Sequence, residues 1–198
     1  MNFLAHVYLS GNIAPLAVGN LIADRVKGND YNDFSPMIQK GIFLHRKIDY
    51  FTDHHSDFKA CVTLLFPIYR HYSRVIVDMY FDHFLAANWN RYHPQSLSEF
   101  SSQFYIKLKE YSQELPENIQ KFTAALVRYN WFEAYASITD LQLILLQMEK
   151  RTKFPSYLGA STDQLKENYT YFHCHFTSFM EEVILYSKTA SSSPFLIN

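Results

Sequence analysis

Apolar residues along most of this chain return at intervals of three and four, the repeat of a helix with a buried face. Leu16, Ala17, Leu21 and Ala23 predict a helix from Ala14 to Val26, with Pro15 in its first turn and Gly28-Asn29 beyond its end. Ser35-Pro36 opens another, running to about His54, whose Ile38, Ile42, Leu44, Ile48 and Phe51 spread widely enough to bury it on more than one side. Ser56 caps a third through Phe66, which Pro67 ends or kinks. From Ser73 to Tyr92 the chain is apolar almost all round, through Ile76, Met79, Tyr80, Phe81, Phe84, Leu85 and Trp89, the pattern of a central helix. Further helices are predicted over Ser96 to Gln113 and Glu117 to Arg128. Another spans Leu141 to Lys150, capped by Thr139 or Asp140, and a long last one runs from Thr162-Asp163 to about Lys188. Residues 2–9 read as a short apolar segment, 29–34 as a polar and aromatic loop, and Trp131 to Ala136 as an aromatic connector. No stretch sustains the alternation of a strand. The fold class is therefore all-α, a single-domain helical bundle over residues 1–188, with the serine-rich 189–198 as a flexible tail.

Composition supports this reading. The 198 residues include 17 Phe and 15 Tyr but only 5 Gly and 7 Pro, little material for turn-rich β architecture. A chain of this size buries roughly 70% of the surface its unfolded form exposes, so a full core is expected. The formal net charge is -1 from 18 basic and 19 acidic residues, which lacks the positive field of a nucleic-acid-binding protein. Cys61 and Cys174 form no disulfide framework and no CxxC pair, the usage of a reduced, cytoplasmic protein. Neither a signal peptide nor an apolar run of membrane-spanning length is found, so no membrane association is expected.

Chemistry concentrates in the first half. His45, Asp49 and Asp53 recur every four residues and share one stripe of their helix, and Asp78 and Asp82 repeat that spacing inside the most apolar helix. Asp24 follows the apolar run Leu21-Ile22-Ala23, where a carboxylate near a helix C-terminus opposes the dipole unless a donor or cation compensates it. His83 adjoins Asp82, and His6 is the outlying candidate in the N-terminal segment. Singly, each has an ordinary alternative: a solvated surface acid, a hydrogen-bonded core imidazole, or, for Asp82, a cap or a partner of Arg46. Jointly they point to a metal, because acids are almost never fully buried unless paired or metal-bound. Oxygen and nitrogen donors without thiolate suit Mn²⁺ first, with Mg²⁺, Fe²⁺ or Co²⁺ as alternatives and zinc still compatible. Such an ion acidifies a water and offsets phosphoryl charge in phosphate-ester hydrolysis. Arg25, Lys27 and Arg46 lie close enough in sequence to hold the remaining phosphate charge, though each also fits a solvated role. His173-Cys174-His175 is not a ligand cluster, since residues two apart on a helix diverge by about 200°. Gly-rich phosphate loops, GxSxG and HExxH are absent from the sequence.

These residues resemble one family. Met1-Asn2-Phe3-Leu4-Ala5-His6, Gly19-Asn20 with Ala23-Asp24, His45-Arg46 through Asp49 to Thr52-Asp53, and Asp78 with Asp82-His83-Phe84-Leu85 are together similar to the acyl carrier protein phosphodiesterases. The matches lie in the first 90 or so residues; the rest matches in length, helicity and aromatic content. The resemblance implies an HD-domain-like, metal-dependent fold, although the adjacent His-Asp dipeptide of ordinary HD domains is replaced by Asp82-His83. It implies hydrolysis of the phosphodiester joining 4'-phosphopantetheine to a serine of holo-acyl carrier protein, releasing the apo-carrier. It also implies a metal shell of Asp24, His45, Asp49, Asp78 and Asp82, with His6, Asp53 and His83 as ligands or their immediate neighbours. Asp24, His45, Asp49 and Asp82 are then the expected catalytic set, and Arg25, Lys27, Arg46 and Asp53 the expected substrate contacts.

Two other functions fit the residues: an HD-like phosphohydrolase of a small nucleotide or phosphoester, and a non-catalytic helical module that binds an acidic protein. An acidic carrier partner requires a local basic surface, for which Arg70 and Arg74, four apart, join Arg25, Lys27, Arg46 and Lys47. Oligomeric state is not legible in the sequence.

Overall fold

The structure, a computed structural model, describes residues 1–192. It is all-α, with no strand among the described residues. In chain order the helices are α1 (Phe3–Leu9), α2 (Ala14–Ile22), α3 (Pro36–His54), α4 (Ser56–Tyr69), α5 (Ser73–Ala87) and α6 (Leu97–Glu110). They continue as α7 (Glu117–Arg128), α8 (Trp131–Ala134), α9 (Ile138–Glu149), α10 (Ser161–Glu167) and α11 (Tyr169–Ser192).

The apolar run of α5 does make it the centre. Ile76, Val77, Met79, Tyr80, Phe81, Phe84 and Leu85 have no exposed surface, and Phe81 and Phe84 pack on Phe176 of α11 at ring separations of 5.6 Å. α2 and α3 pack backbone against backbone. A Cβ on Gly19 would overlap the Ile38 carbonyl, and one on Gly41 would overlap the Leu16 carbonyl, so only glycine lets these backbones touch. That contact sets the end of α2 against the middle of α3.

Several boundaries differ from expectation. The segment at residues 2–9 is a helix because Asp82, on α5, accepts hydrogen bonds from the N–H groups of Asn2, Leu4 and Ala5 at 3.2, 2.9 and 3.3 Å. A carboxylate distant in sequence thus does the work of a cap. α2 stops at Ile22, and Ala23–Arg25 form a tight 3-10 turn that lifts Asp24 off the helix. α4 runs past Pro67 to Tyr69, where Arg70 at φ 49° turns the chain, and its cap is the His55 ring, not Ser56. α5 ends at Ala87, before a 3-10 turn over Trp89–Arg91. α9 starts earlier, with Ser137 accepting from Asp140 N–H. The long last helix is two, broken at Asn168, and its second part continues to Ser192. The rest of the expected tail, 193–198, lies outside the described residues.

Candidate metal centre and cavity

Three elements converge on one point. α1 brings His6, the turn after α2 brings Asp24, and α3 brings His45 and Asp49. The imidazoles of His6 and His45 stack with ring centroids 4.0 Å apart, and Asn20 at the end of α2 holds both. His45 Nδ1 donates to the Asn20 main-chain oxygen at 2.8 Å, since a carbonyl can only accept. The Asn20 side-chain nitrogen donates to the His6 carbonyl and to Ser10 Oγ, both at 2.9 Å. That fixes the amide, so its Oδ1 accepts from His6 Nδ1 at 2.8 Å. Both rings therefore carry a proton on Nδ1 and turn Nε2 to the same side, the arrangement of metal-ligating histidines.

The acids meet them there. His45 Nε2 lies 3.0 Å from Asp24 Oδ1 and 3.0 Å from Asp49 Oδ2, and His6 Nε2 lies 3.2 Å from Asp49 Oδ1. Burial, followed by the neighbouring His45, lowers the pKa of His6 to about 4, so its ring is neutral. Its buried Nε2 has no hydrogen-bond partner among the described residues, because the approach of Asp49 lacks hydrogen-bond geometry. Two acceptors thus face each other. For His45, burial works toward a lower pKa, but the hydrogen bonds its Nε2–H donates to Asp24 and Asp49 raise it to about 9. Burial disfavours ionised Asp49, yet its hydrogen bond with His45 and the closeness of both imidazoles hold it well below the usual carboxylate range. Asp24 is lowered chiefly by His45.

A cation between these atoms would remove both conflicts, taking the unpaired lone pair of His6 and replacing the proton on His45. Ligand atoms of His6, His45 and Asp49 lie within 4.8 Å of one another, and the mixed nitrogen and oxygen set suits a divalent first-row metal. The residues present therefore fit a metal.

Beside the cluster opens a cavity of about 440 Å³. Asp24, Arg25, Asp49, Asp53 and Asp78 are on its polar side, with Phe3, Trp131, Ile144 and Met148 among its apolar walls. The sequence candidates divide accordingly. Asp78 lines the cavity, but its Oδ1 is 2.6 Å from the Met1 α-amino group. Asp53 also lines it and pairs with Arg74 at 2.8 Å. Arg25 lies on the Phe122 ring at 3.9 Å and faces the same space.

The other expected candidates fall outside the cluster and cavity wall. Asp82 is fully buried, with its oxygens directed at the α1 amides; burial raises its pKa to about 7, against the nearby ammonium and those amides. His83 donates from Nδ1 to the Tyr135 carbonyl at 2.8 Å, with Nε2 3.3 Å from the Tyr169 hydroxyl, so it ties the end of α8 to α11. Arg46 donates to the Gly28 carbonyl at 3.1 Å and lies over the rings of Tyr31 and Phe43. Lys27 is exposed and off the cavity wall. Arg70 and Arg74 straddle a helix boundary, so their spacing does not put them on one helical face. His175 of the His-Cys-His run bonds Asp57 at 2.6 Å, away from the cluster.

Sequence reasoning missed Arg151 and Tyr135, which line the cavity, and the anchoring role of Asn20. Asn20 carried a signal: it is an amide inside the apolar run Val18-Gly19-Asn20-Leu21-Ile22. Arg151 and Tyr135 carried none.

Residues 1–183 match the family described as acyl carrier protein phosphodiesterase. The chain belongs to that family. Relatives bearing that name include one from Photorhabdus laumondii, 32% identical over 180 residues, covering 90% of this chain and 91% of the relative. One from Yersinia enterocolitica is 31% identical over 170 residues, covering 85% and 88%. One from Serratia proteamaculans is 28% identical over 189 residues, covering 95% and 98%. No solved structure matches the chain significantly. No helix among the described residues is long and apolar enough to cross a membrane.

Proposed function

We propose that the protein is a metal-dependent phosphodiesterase that hydrolyses holo-acyl carrier protein to apo-carrier and 4'-phosphopantetheine. The observation that carries this reading is the convergence of two Nε2 atoms with Asp24 and Asp49 on the edge of a cavity, in a chain of this family. His6, His45, Asp49 and Asp24 hold the ion, for which Mn²⁺ is the first choice and Mg²⁺, Fe²⁺ or Co²⁺ the alternatives. Bound there, it supplies Lewis acidity, lowering the pKa of the attacking water and offsetting charge on the phosphoryl oxygens. The same donor set is the reason for relating the fold to the HD-domain phosphohydrolases.

The chain's own residues do the rest. Asp24 is the more exposed acid, 61% against 44% for Asp49, and is the group that accepts the water's proton. Water oxygen bonds to phosphorus as the bond from phosphorus to the serine oxygen breaks, and the proton that Asp24 took from the water passes to the leaving serine oxygen. Arg25 and Arg151 face the cavity and meet the phosphoryl charge. Acting on an acyl carrier protein, the enzyme works in the cytoplasm.

The test is mass spectrometry of holo-carrier incubated with purified protein and Mn²⁺. The carrier is expected to lose the mass of its phosphopantetheine arm, and Asp49→Ala is expected to abolish that loss. Turnover unaffected by a chelator, or nucleotide hydrolysis beside an inert carrier, would overturn the reading.

A further inference from the structure

Tyr135 is left over by the chemistry above. Its side chain has no exposed surface, and its hydroxyl finds no hydrogen-bond partner among the described residues. Buried polar groups are nearly always paired, so an unpaired one asks for a partner that arrives from outside. Tyr135 borders the same cavity as Asp24 and Asp49, which places a ligand seated there beside it.

The residue is also held in place by its backbone. The Tyr135 N–H donates to the Trp131 carbonyl at 3.1 Å, and the Tyr135 carbonyl accepts from His83 Nδ1 at 2.8 Å. The backbone at Tyr135 is therefore fixed on both sides. Burial pushes the phenol well above its ordinary pKa, so it is present as a neutral O–H. The surrounding walls are Phe3, Trp131, Ile144 and Met148, apolar surfaces that suit an uncharged chain. A cavity of about 440 Å³ is within the range of small-molecule sites.

We propose that this part of the cavity is the subsite for the uncharged, amide-bearing arm attached to the phosphoryl group, and that the Tyr135 hydroxyl hydrogen-bonds an amide or hydroxyl of that arm. This rests on the phosphodiesterase reading. The phosphoryl end lies toward the acids and arginines, and the arm runs along the aromatic wall to Tyr135. Because the hydroxyl lacks a partner until the arm binds, it discriminates between the whole arm and a bare phosphate.

The experiment is calorimetric titration of Mn²⁺-loaded protein with 4'-phosphopantetheine and, separately, with inorganic phosphate. Tyr135→Phe is expected to bind 4'-phosphopantetheine about tenfold more weakly, the scale of one lost neutral hydrogen bond, with phosphate affinity unchanged. Its melting temperature should stay the same or rise, since the removed hydroxyl has no partner in the free protein. Met148→Trp, a substitution at a half-buried wall position, is expected to give the same selective loss by filling the space, and gives the answer if Tyr135→Phe fails to fold. Equal affinity for 4'-phosphopantetheine in wild type and Tyr135→Phe would overturn the subsite, as would a parallel loss for phosphate. Wild-type protein that converts holo-carrier while Tyr135→Phe behaves identically overturns the subsite alone. Wild-type protein that neither binds 4'-phosphopantetheine nor converts holo-carrier overturns the phosphodiesterase reading with it.

Discussion

The main-chain oxygen of Asn20 accepts from His45 Nδ1 at 2.8 Å, while the Asn20 side chain grips His6 from both ends of its amide. One residue thus sets the tautomers of two candidate ligands, by different atoms. Asn20→Ala should free His6 but keep the carbonyl that orients His45. Mn²⁺ affinity measured by calorimetry is expected to fall about 10- to 100-fold, the usual cost of losing such support. Unchanged affinity would mean that His6 does not bind the ion.

The crossing of α2 and α3 tolerates no side chain. Gly41→Ala drives a methyl into the Leu16 carbonyl, where the obstacle is backbone and cannot rotate aside. Overpacking of this kind costs about 1–3 kcal/mol and, against main chain, the upper end or more. Urea denaturation should show that loss, and activity should fall further than stability explains because Asn20 and His45 are pushed apart.

Asp82 makes stability depend on pH. Its folded pKa is raised by burial to about 7, so the folded state holds a proton that the unfolded state releases near pH 4. The stabilisation is complete below the unfolded pKa and is lost as pH rises through 7. Relative to Asp82→Asn, which does not titrate, metal-free wild type should lose on the order of 4 kcal/mol between pH 4 and 7. Parallel profiles in urea melts would show that folding does not raise the pKa of Asp82.

Arg25 and Arg151 line the cavity and Lys27 does not. Arg25→Gln and Arg151→Gln are each expected to lower kcat/KM for holo-carrier about 10- to 100-fold, the range for a charge-assisted hydrogen bond. Lys27→Gln should leave it unchanged. Steady-state kinetics on the three variants, with melting curves for Arg25→Gln because of its Phe122 contact, would test the assignment.

Much of this was legible in the sequence because helices announce themselves locally. The period of α5 revealed the central helix, Ser35-Pro36 and His54 bounded α3 correctly, and the four-residue step from His45 to Asp49 became a contact of 3.0 Å. The same step misled at Asp78 and Asp82. Spacing says that two acids share a helix face, but not what comes to meet that face, and here it is the N-terminal segment with its amides and ammonium. His83 looked like a ligand beside Asp82, yet the 100° turn between successive residues sends it to Tyr135 and Tyr169. Arg151 and Tyr135 come from the C-terminal half, where the only guide was helical pattern, and their place in the cavity depends on how α8 and α9 pack.

The hold of Asp82 on α1 also orders events in time. His6 sits on a seven-residue helix too short to persist alone, and the carboxylate that steadies it comes almost eighty residues later in the chain. A ribosome must release all of α5 before Asp82 can cap α1, so His6 lacks that support while only the segment that carries the ligands has emerged. The site closes only when a long loop of chain has already been brought together, a contact of high order that folds late and that a nascent chain does without.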